Sequence, residues 1–173
     1  MSQEKTLYMT LLMSPDMANF AGNVHGGALL KMLDQVAYAC AARYCGTYVV
    51  TLSLDQVSFK EPIKVGELVS FRAHVNYVGR TSMEIGVKVV TEDLRNKEKR
   101  HAVSCYFTMV ALDENGKPTP APPLKFNNEF DKKLYEAAKM RQEMRRETQR
   151  RNKEITAGIP SYNPDLSETD DDS

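Results

Sequence analysis

"ANFAGNVHGGALLKMLDQVAYACAARYC", residues 18–45, runs from a turn-rich lead into a long apolar segment. Gly26 and Gly27 open that segment and Gly46 stands just past it, so the spacing predicts a helix from Gly26 to about Arg43. Leu29, Leu30, Met32, Leu33, Val36, Ala37, Tyr38 and Cys40 leave it almost no polar face, so it should be buried. Asp34 interrupts the run. A lone carboxylate in apolar surroundings is costly unless it has a partner or a task. From the residues alone, Asp34 is either an i,i+3 partner of Lys31 or a functional group.

Outward from this helix the period changes from helical to two-residue alternation. Residues 6–12 suit a first strand, and 13–23, with Pro, Asp, Asn and Gly, read as a loop. Beyond Gly46 come "YVVTLSLDQVSF", "GELVSFRAHVNYVG", "SMEIGVKVVTED" and "HAVSCYFTMVAL". In the second of these, Val69, Phe71, Ala73, Val75 and Tyr77 share one face, and Ser70, Arg72, His74 and Asn76 the wetter other. Such alternation is the antiparallel signature. A helix of about 18 residues spans roughly 27 Å, and strands of about 10 residues roughly 33 Å. The fold class is therefore α+β, the helix lying along a curved antiparallel sheet.

The C-terminal part has a different character. "GKPTPAPP" at 116–123 is a Pro-rich linker. Residues 131–153 are helical by composition and carry nine basic against four acidic residues. "SYNPDLSETDDDS" is acidic, without apolar spacing, and reads as disordered. The expected division is a domain over 1–125, a basic helix over 126–153 and an acidic tail over 154–173. The helix reads as a solvated or oligomer-facing element.

With 173 residues and 42% hydrophobic content the chain can bury a real core. Net charge is zero, which gives no global argument for nucleic acid or an anionic membrane. No stretch approaches a membrane span. Cys40, Cys45 and Cys105 form no CxxC pair, which suggests reduced thiols in a cytoplasmic protein. His25, His74 and His101 show no metal-ligand spacing, so no metal is expected.

The order of strand, Asn-containing loop, "HGG", helix with an Asp two turns in, and four antiparallel strands resembles the hotdog fold. More narrowly, "NFAGNVHGGALLKMLD", "VSFKEPIKVGE", "GRTSMEIGV" and "GKPTPAPPLKF" are similar to the cytosolic acyl-CoA hydrolase family. The resemblance covers residues 6 to about 150. It implies hydrolysis of fatty acyl-CoA to fatty acid and coenzyme A, without a serine nucleophile and without a cofactor. It also implies a homodimer as the active unit, assembled as a trimer of dimers. The family's two functional positions map onto Asn19 and Asp34. In vertebrate members, two tandem domains each keep one of the pair; a single domain carrying both implies two complete sites per homodimer.

The chemistry fits these residue types. Asp34 can act as general base on water or attack the carbonyl itself. Asn19 has a donor and an acceptor with which to orient water or polarise the thioester. Backbone N–H groups of Gly26 and Gly27 at the helix start would face a developing oxyanion. For the phosphates of coenzyme A, the candidates are Arg80 with Gly79, Thr81 and Ser82 at a strand turn, and Lys60. The alternative for each cation is a solvated turn charge. The stripe of Met83, Ile85 and Val87 reads as core. Two other functions remain compatible at this point: a non-catalytic acyl-CoA sensor, and a hotdog hydratase or dehydratase with His25 as base.

Overall fold

A computed structural model describes residues 4–157. Five strands form at the alternating segments: β1 (Thr6–Leu12), β2 (Tyr48–Phe59), β3 (Leu68–Val78), β4 (Ser82–Glu92) and β5 (Lys99–Leu112). They make one antiparallel sheet in the order β1-β3-β4-β5-β2, which leaves β1 and β2 as its edges. The long helix α1 (Gly26–Cys45) ends at Gly46, whose φ of 69° closes the helix in the left-handed region that glycine enters without strain.

Period decides which residues meet. From α1, Leu29, Leu33, Val36, Ala37 and Cys40 fall on one stripe and are buried. They face Val69, Phe71, Ala73 and Val75 of β3, Met83, Ile85, Val87 and Val89 of β4, and Val103, Cys105, Phe107 and Met109 of β5, all buried in the same core. The Met83 stripe is therefore core, as its alternation suggests. One residue leaves its expected face. A register shift between Val75 and Tyr77 inserts an extra residue, so Val78 packs on the core. Tyr77 instead stacks on Tyr135, with ring centroids 5.1 Å apart.

The second face of the sheet is less wet than alternation implies, because helix α2 (Glu129–Ala157) begins over it. Asp131 is buried and paired with Lys5 at 2.5 Å, and Lys5 also donates to the Lys125 carbonyl. His74 Nε2 stands 3.7 Å from the same carboxylate. The His74 ring meets Asn76 Oδ1 at 3.1 Å, and Asn76 Nδ2 donates to Glu84 at 3.1 Å. Buried polar groups are here satisfied by one another, as burial requires. The first turns of α2 are thus not simply solvated. They close a sheet face that the sequence pattern alone leaves open.

The first compact unit runs through Ala138 and the second begins at Lys139. The later part of α2 carries ion pairs along its own surface, Glu147 with Arg150 and Arg151, and Arg150 with Glu154. Residues 154–157, expected in the tail, are helical. The remainder of the acidic stretch lies outside the described residues.

Candidate active site

The loop before α1 is built around Asn19. Its Oδ1 accepts hydrogen bonds from the N–H groups of Ala21 (2.9 Å) and Asn23 (3.1 Å). Its own N–H donates to Asn23 O at 2.7 Å, and Gly22 N–H to Asn19 O at 3.0 Å, with Gly22 at φ 81°. Asn19 is therefore a turn former in its own right. Since the carbonyl oxygen is committed to the turn, the side chain offers a ligand its Nδ2 donors alone, which narrows the donor-or-acceptor role expected from the sequence. The next residue, Phe20, is fully exposed.

His25 occupies the N-cap of α1, and its Nδ1 accepts from Gly27 N–H at 2.9 Å. Nδ1 therefore carries no proton, and the ring is fixed as a cap. This corrects the expectation for the helix start: the Gly27 N–H is already taken. First-turn amides have no intrahelical acceptor, so Gly26 supplies the remaining glycine donor at this end. The cap also weakens the hydratase reading, since the nitrogen best placed to accept a proton is engaged.

Asp34 is not buried. It lies on the exposed face of α1 together with Lys31, Gln35 and Tyr38. Its partner is Thr51 of β2 rather than Lys31: Thr51 Oγ1 donates to Asp34 Oδ1 at 2.7 Å. Thr51 carries no motif that would single it out in the sequence, and the strand's chemistry at that point became legible only through this bond. Around the pair lies an apolar rim. Tyr38 and Tyr48 meet edge to face with ring centroids 6.0 Å apart, and Leu52, next to Thr51, is exposed; further along β2, Leu54 and Phe59 are exposed as well.

The other expected site residues divide into two places. Asn19, Gly26 and Lys60 line one cleft of about 360 Å³, with Leu29, Phe59 and Ile63 as its apolar wall. Lys60 Nζ stands 3.5 Å from His101 Nδ1. Gly79, Arg80, Thr81 and Ser82 form the β3–β4 turn, where Gly79 N–H donates to Ser82 O at 2.8 Å. Gly79 and Arg80 line a different cleft, against the Pro-rich segment at Pro120 and Pro123. Asp34 lines neither cleft. Within one protomer, then, Asn19, Gly26 and Lys60 come together, while Asp34 and the Arg80 turn stand apart. Among the described residues no cluster could hold a metal ion, and no helix is long and apolar enough to cross a membrane.

Residues 21–97 match the Thioesterase superfamily. The chain is 53% identical to protein VdlD of Helicobacter pylori over 139 residues, 80% of this chain and 79% of that one. It is 38% identical to the cytosolic acyl coenzyme A thioester hydrolase of Rattus norvegicus over 132 residues, 75% of this chain but 35% of the longer enzyme. It is 33% identical to the acyl-CoA thioester hydrolase YkhA of Bacillus subtilis over 162 residues, 94% of each chain. The chain belongs to the acyl-CoA thioester hydrolase family. Among solved structures, the acyl-CoA hydrolase of Staphylococcus aureus, in complex with butyryl coenzyme A and coenzyme A, matches with a TM-score of 0.80 and 32% identity. The match covers 89% of this chain and 94% of that one. Variants of that enzyme with an aspartate, an asparagine or a threonine replaced by alanine match similarly, with TM-scores of 0.80, 0.82 and 0.77. An apo-hexameric acyl-CoA thioesterase matches with a TM-score of 0.78 and 34% identity, over 91% of this chain and 96% of that one.

Proposed function

We propose that this family member hydrolyses acyl-CoA at a site shared by two copies of the chain, Asp34 from one facing Asn19 from the other. The chain is an acyl-CoA thioesterase, and the observation that carries the residue assignment is the Thr51–Asp34 hydrogen bond on the open face of α1. It holds one carboxylate oxygen and leaves the other for water or substrate. In the Staphylococcus aureus hydrolase, the asparagine, aspartate and threonine that were replaced stand fifteen and seventeen residues apart, the spacing of Asn19, Asp34 and Thr51 here.

In this reading the thioester carbonyl oxygen receives the Gly26 N–H at the helix start and an Nδ2–H of Asn19, which stabilise the oxyanion. Asp34 removes a proton from the attacking water, or attacks the carbonyl carbon itself to give a mixed anhydride that a water then hydrolyses, freeing the acid and Asp34. The C–S bond breaks, coenzyme A leaves as thiol after protonation, and the carboxylic acid remains. No cofactor enters these steps. Lys60, beside Asn19, and Arg80 with Gly79, Thr81 and Ser82 are the proposed contacts for the phosphates of coenzyme A.

The shared site is supported by what one protomer leaves open. β2 is an edge strand, and such edges are covered or paired in stable proteins. Its exposed leucines continue the apolar rim around Asp34. Pairing with a second copy by two-fold symmetry buries this rim and repeats the site twice. Three such dimers make the proposed hexamer. Release of free thiol from an acyl-CoA panel tests the activity. Asp34→Ala should reduce kcat by at least about 100-fold, the scale of a lost catalytic group. Retention of more than about a tenth of kcat would remove Asp34 from the mechanism.

A further inference from the structure

Phe20 is the most exposed large apolar side chain among the described residues. Its backbone is nonetheless held firmly. Residues 19–22 form a turn closed by the Gly22 N–H on Asn19 O at 3.0 Å, with Gly22 in the left-handed region at φ 81°. Ala18 pairs with Val24, and the Val24 N–H donates to Ile63 O at 2.7 Å, which ties the base of the turn to two buried residues. Turns favour Pro, Asp, Asn, Ser and Gly, so a phenyl ring adds nothing to this one. Phe20 stands outside the core and does not line the cleft beside Asn19. Folding of the protomer gives no reason for an aromatic residue at this position.

The turn fixes Phe20 relative to Asn19, whose Cα is about 3.8 Å away across one trans peptide. In the shared site proposed above, on which this inference rests, Asn19 of one copy faces Asp34 of the other. Phe20 is then brought to the same place. The surface it meets there is apolar: Asp34 and Thr51 are rimmed by exposed Tyr38, Tyr48 and Leu52. A thioester held between Asn19 and Asp34 has two arms. The coenzyme A arm carries phosphates and is drawn toward Lys60, in the cleft that Phe20 does not line. The acyl arm remains, and it is the arm that apolar walls recognise.

We infer that Phe20 is a specificity-determining residue of the thioesterase. Its ring closes over the first carbons of the acyl chain, against Tyr38 and Leu52 of the partner subunit, and selects fatty acyl groups over acetyl. An acetyl group ends short of the ring. Each further methylene placed under it leaves water and strengthens binding about fourfold. Because the turn is already ordered by its hydrogen bonds, little freedom is lost when the ring closes on the chain.

The readout is the ratio of kcat/KM for octanoyl-CoA to that for acetyl-CoA. Phe20→Ala removes an exposed side chain and leaves the core intact. It should lower the ratio at least about tenfold, and Phe20→Leu, which keeps an apolar side chain, should recover most of it. A ring that served only to join the two copies would change the dimer dissociation constant, read by sedimentation, and leave the ratio of the dimers as in the parent. That result overturns the inference. Mixed dimers of an Asn19→Ala chain with an Asp34→Ala chain then separate it from the shared site, since each holds one intact site. With Phe20→Ala added to the Asp34→Ala chain, which supplies Asn19 to that site, the restored activity should show the lowered ratio. Added to the Asn19→Ala chain, the lost ring belongs to the dead site, and the restored activity should keep the parental ratio. Equal ratios in the two mixtures overturn the role of Phe20 while the restored activity upholds the shared site. No restored activity in either mixture overturns the shared site, and the role of Phe20 falls with it.

Discussion

Thr51 Oγ1 donates to Asp34 Oδ1 at 2.7 Å, tying the edge strand β2 to the open face of α1. The hydroxyl fixes one carboxylate oxygen and thereby orients the other. Thr51→Val keeps the branched shape that suits a strand and removes the donor. It should lower kcat by about tenfold, less than the loss at Asp34, with KM little changed, the pattern of a lost transition-state interaction. Because Asp34 is exposed in the protomer, Asp34→Ala should fold normally. A Thr51→Val enzyme with parental kcat would show that the bond has no part in orienting Asp34.

The cap at His25 links local structure to the helix start. His25→Ala removes the acceptor of the Gly27 N–H and should cost about 1 kcal/mol, the typical loss of a cap. His25→Asn supplies a new acceptor and should recover most of that stability by thermal unfolding. If catalysis used His25 as base, His25→Asn would be as inactive as His25→Ala. We expect it to retain turnover.

A pH-dependent contribution to stability centres on Glu67, which is buried. Burial pushes its carboxyl up, but the Lys64 N–H, the Thr91 hydroxyl and the Arg100 guanidinium together hold it below the ordinary value of 4.5. The folded state therefore binds this proton more weakly than the unfolded state. Its stabilisation is present in full above pH 4.5 and is lost as pH falls through the depressed value. Glu67→Gln should cost about 1.5–3 kcal/mol at neutral pH, as for a hydrogen bond to a charged group. Its denaturation midpoint should also fall less steeply than the parent's below that pH.

The three cysteines are free. Burial pushes the thiols of Cys40 and Cys105 up to about 12 and that of Cys45 to about 11. Since the thiolate is the reactive form, a thiol reagent at pH 8 should label the native chain slowly, Cys45 first, and all three only after denaturation. Rapid labelling of Cys40 would show that α1 opens locally.

Strand boundaries and the helix stop at Gly46 were legible because alternation, a 3.6-residue stripe and a left-handed glycine are local signals. The exposure of Asp34 was not. A helix face left exposed in the protomer here carries the same apolar letters as one that meets the core, so Tyr38 and its neighbours read as buried. Two further features depend on residues far apart in sequence. Lys5 and Asp131, joined under α2, share no pattern. Thr51 is one threonine in an ordinary strand until the fold brings it to Asp34. Of the expected site, Asn19, Gly26 and Lys60 converge on one cleft. The Arg80 turn belongs to another, because the β3–β4 hairpin carries it there.

The separation of Asn19 from Asp34 within one protomer makes a complementation experiment decisive for the shared site. Asn19→Ala and Asp34→Ala homodimers should each be inactive. Co-expression, or joint unfolding and refolding, yields mixed dimers that contain one site with both native residues and one with neither. With random pairing half of the dimers are mixed, so about a quarter of the parental activity should return, given a closed two-fold dimer. If both residues served the same subunit's site, every site in the mixture would lack one of them and nothing would return. Differently tagged chains establish that mixed dimers have formed. Continued inactivity in that mixed population would refute the shared site while leaving the thioesterase assignment standing.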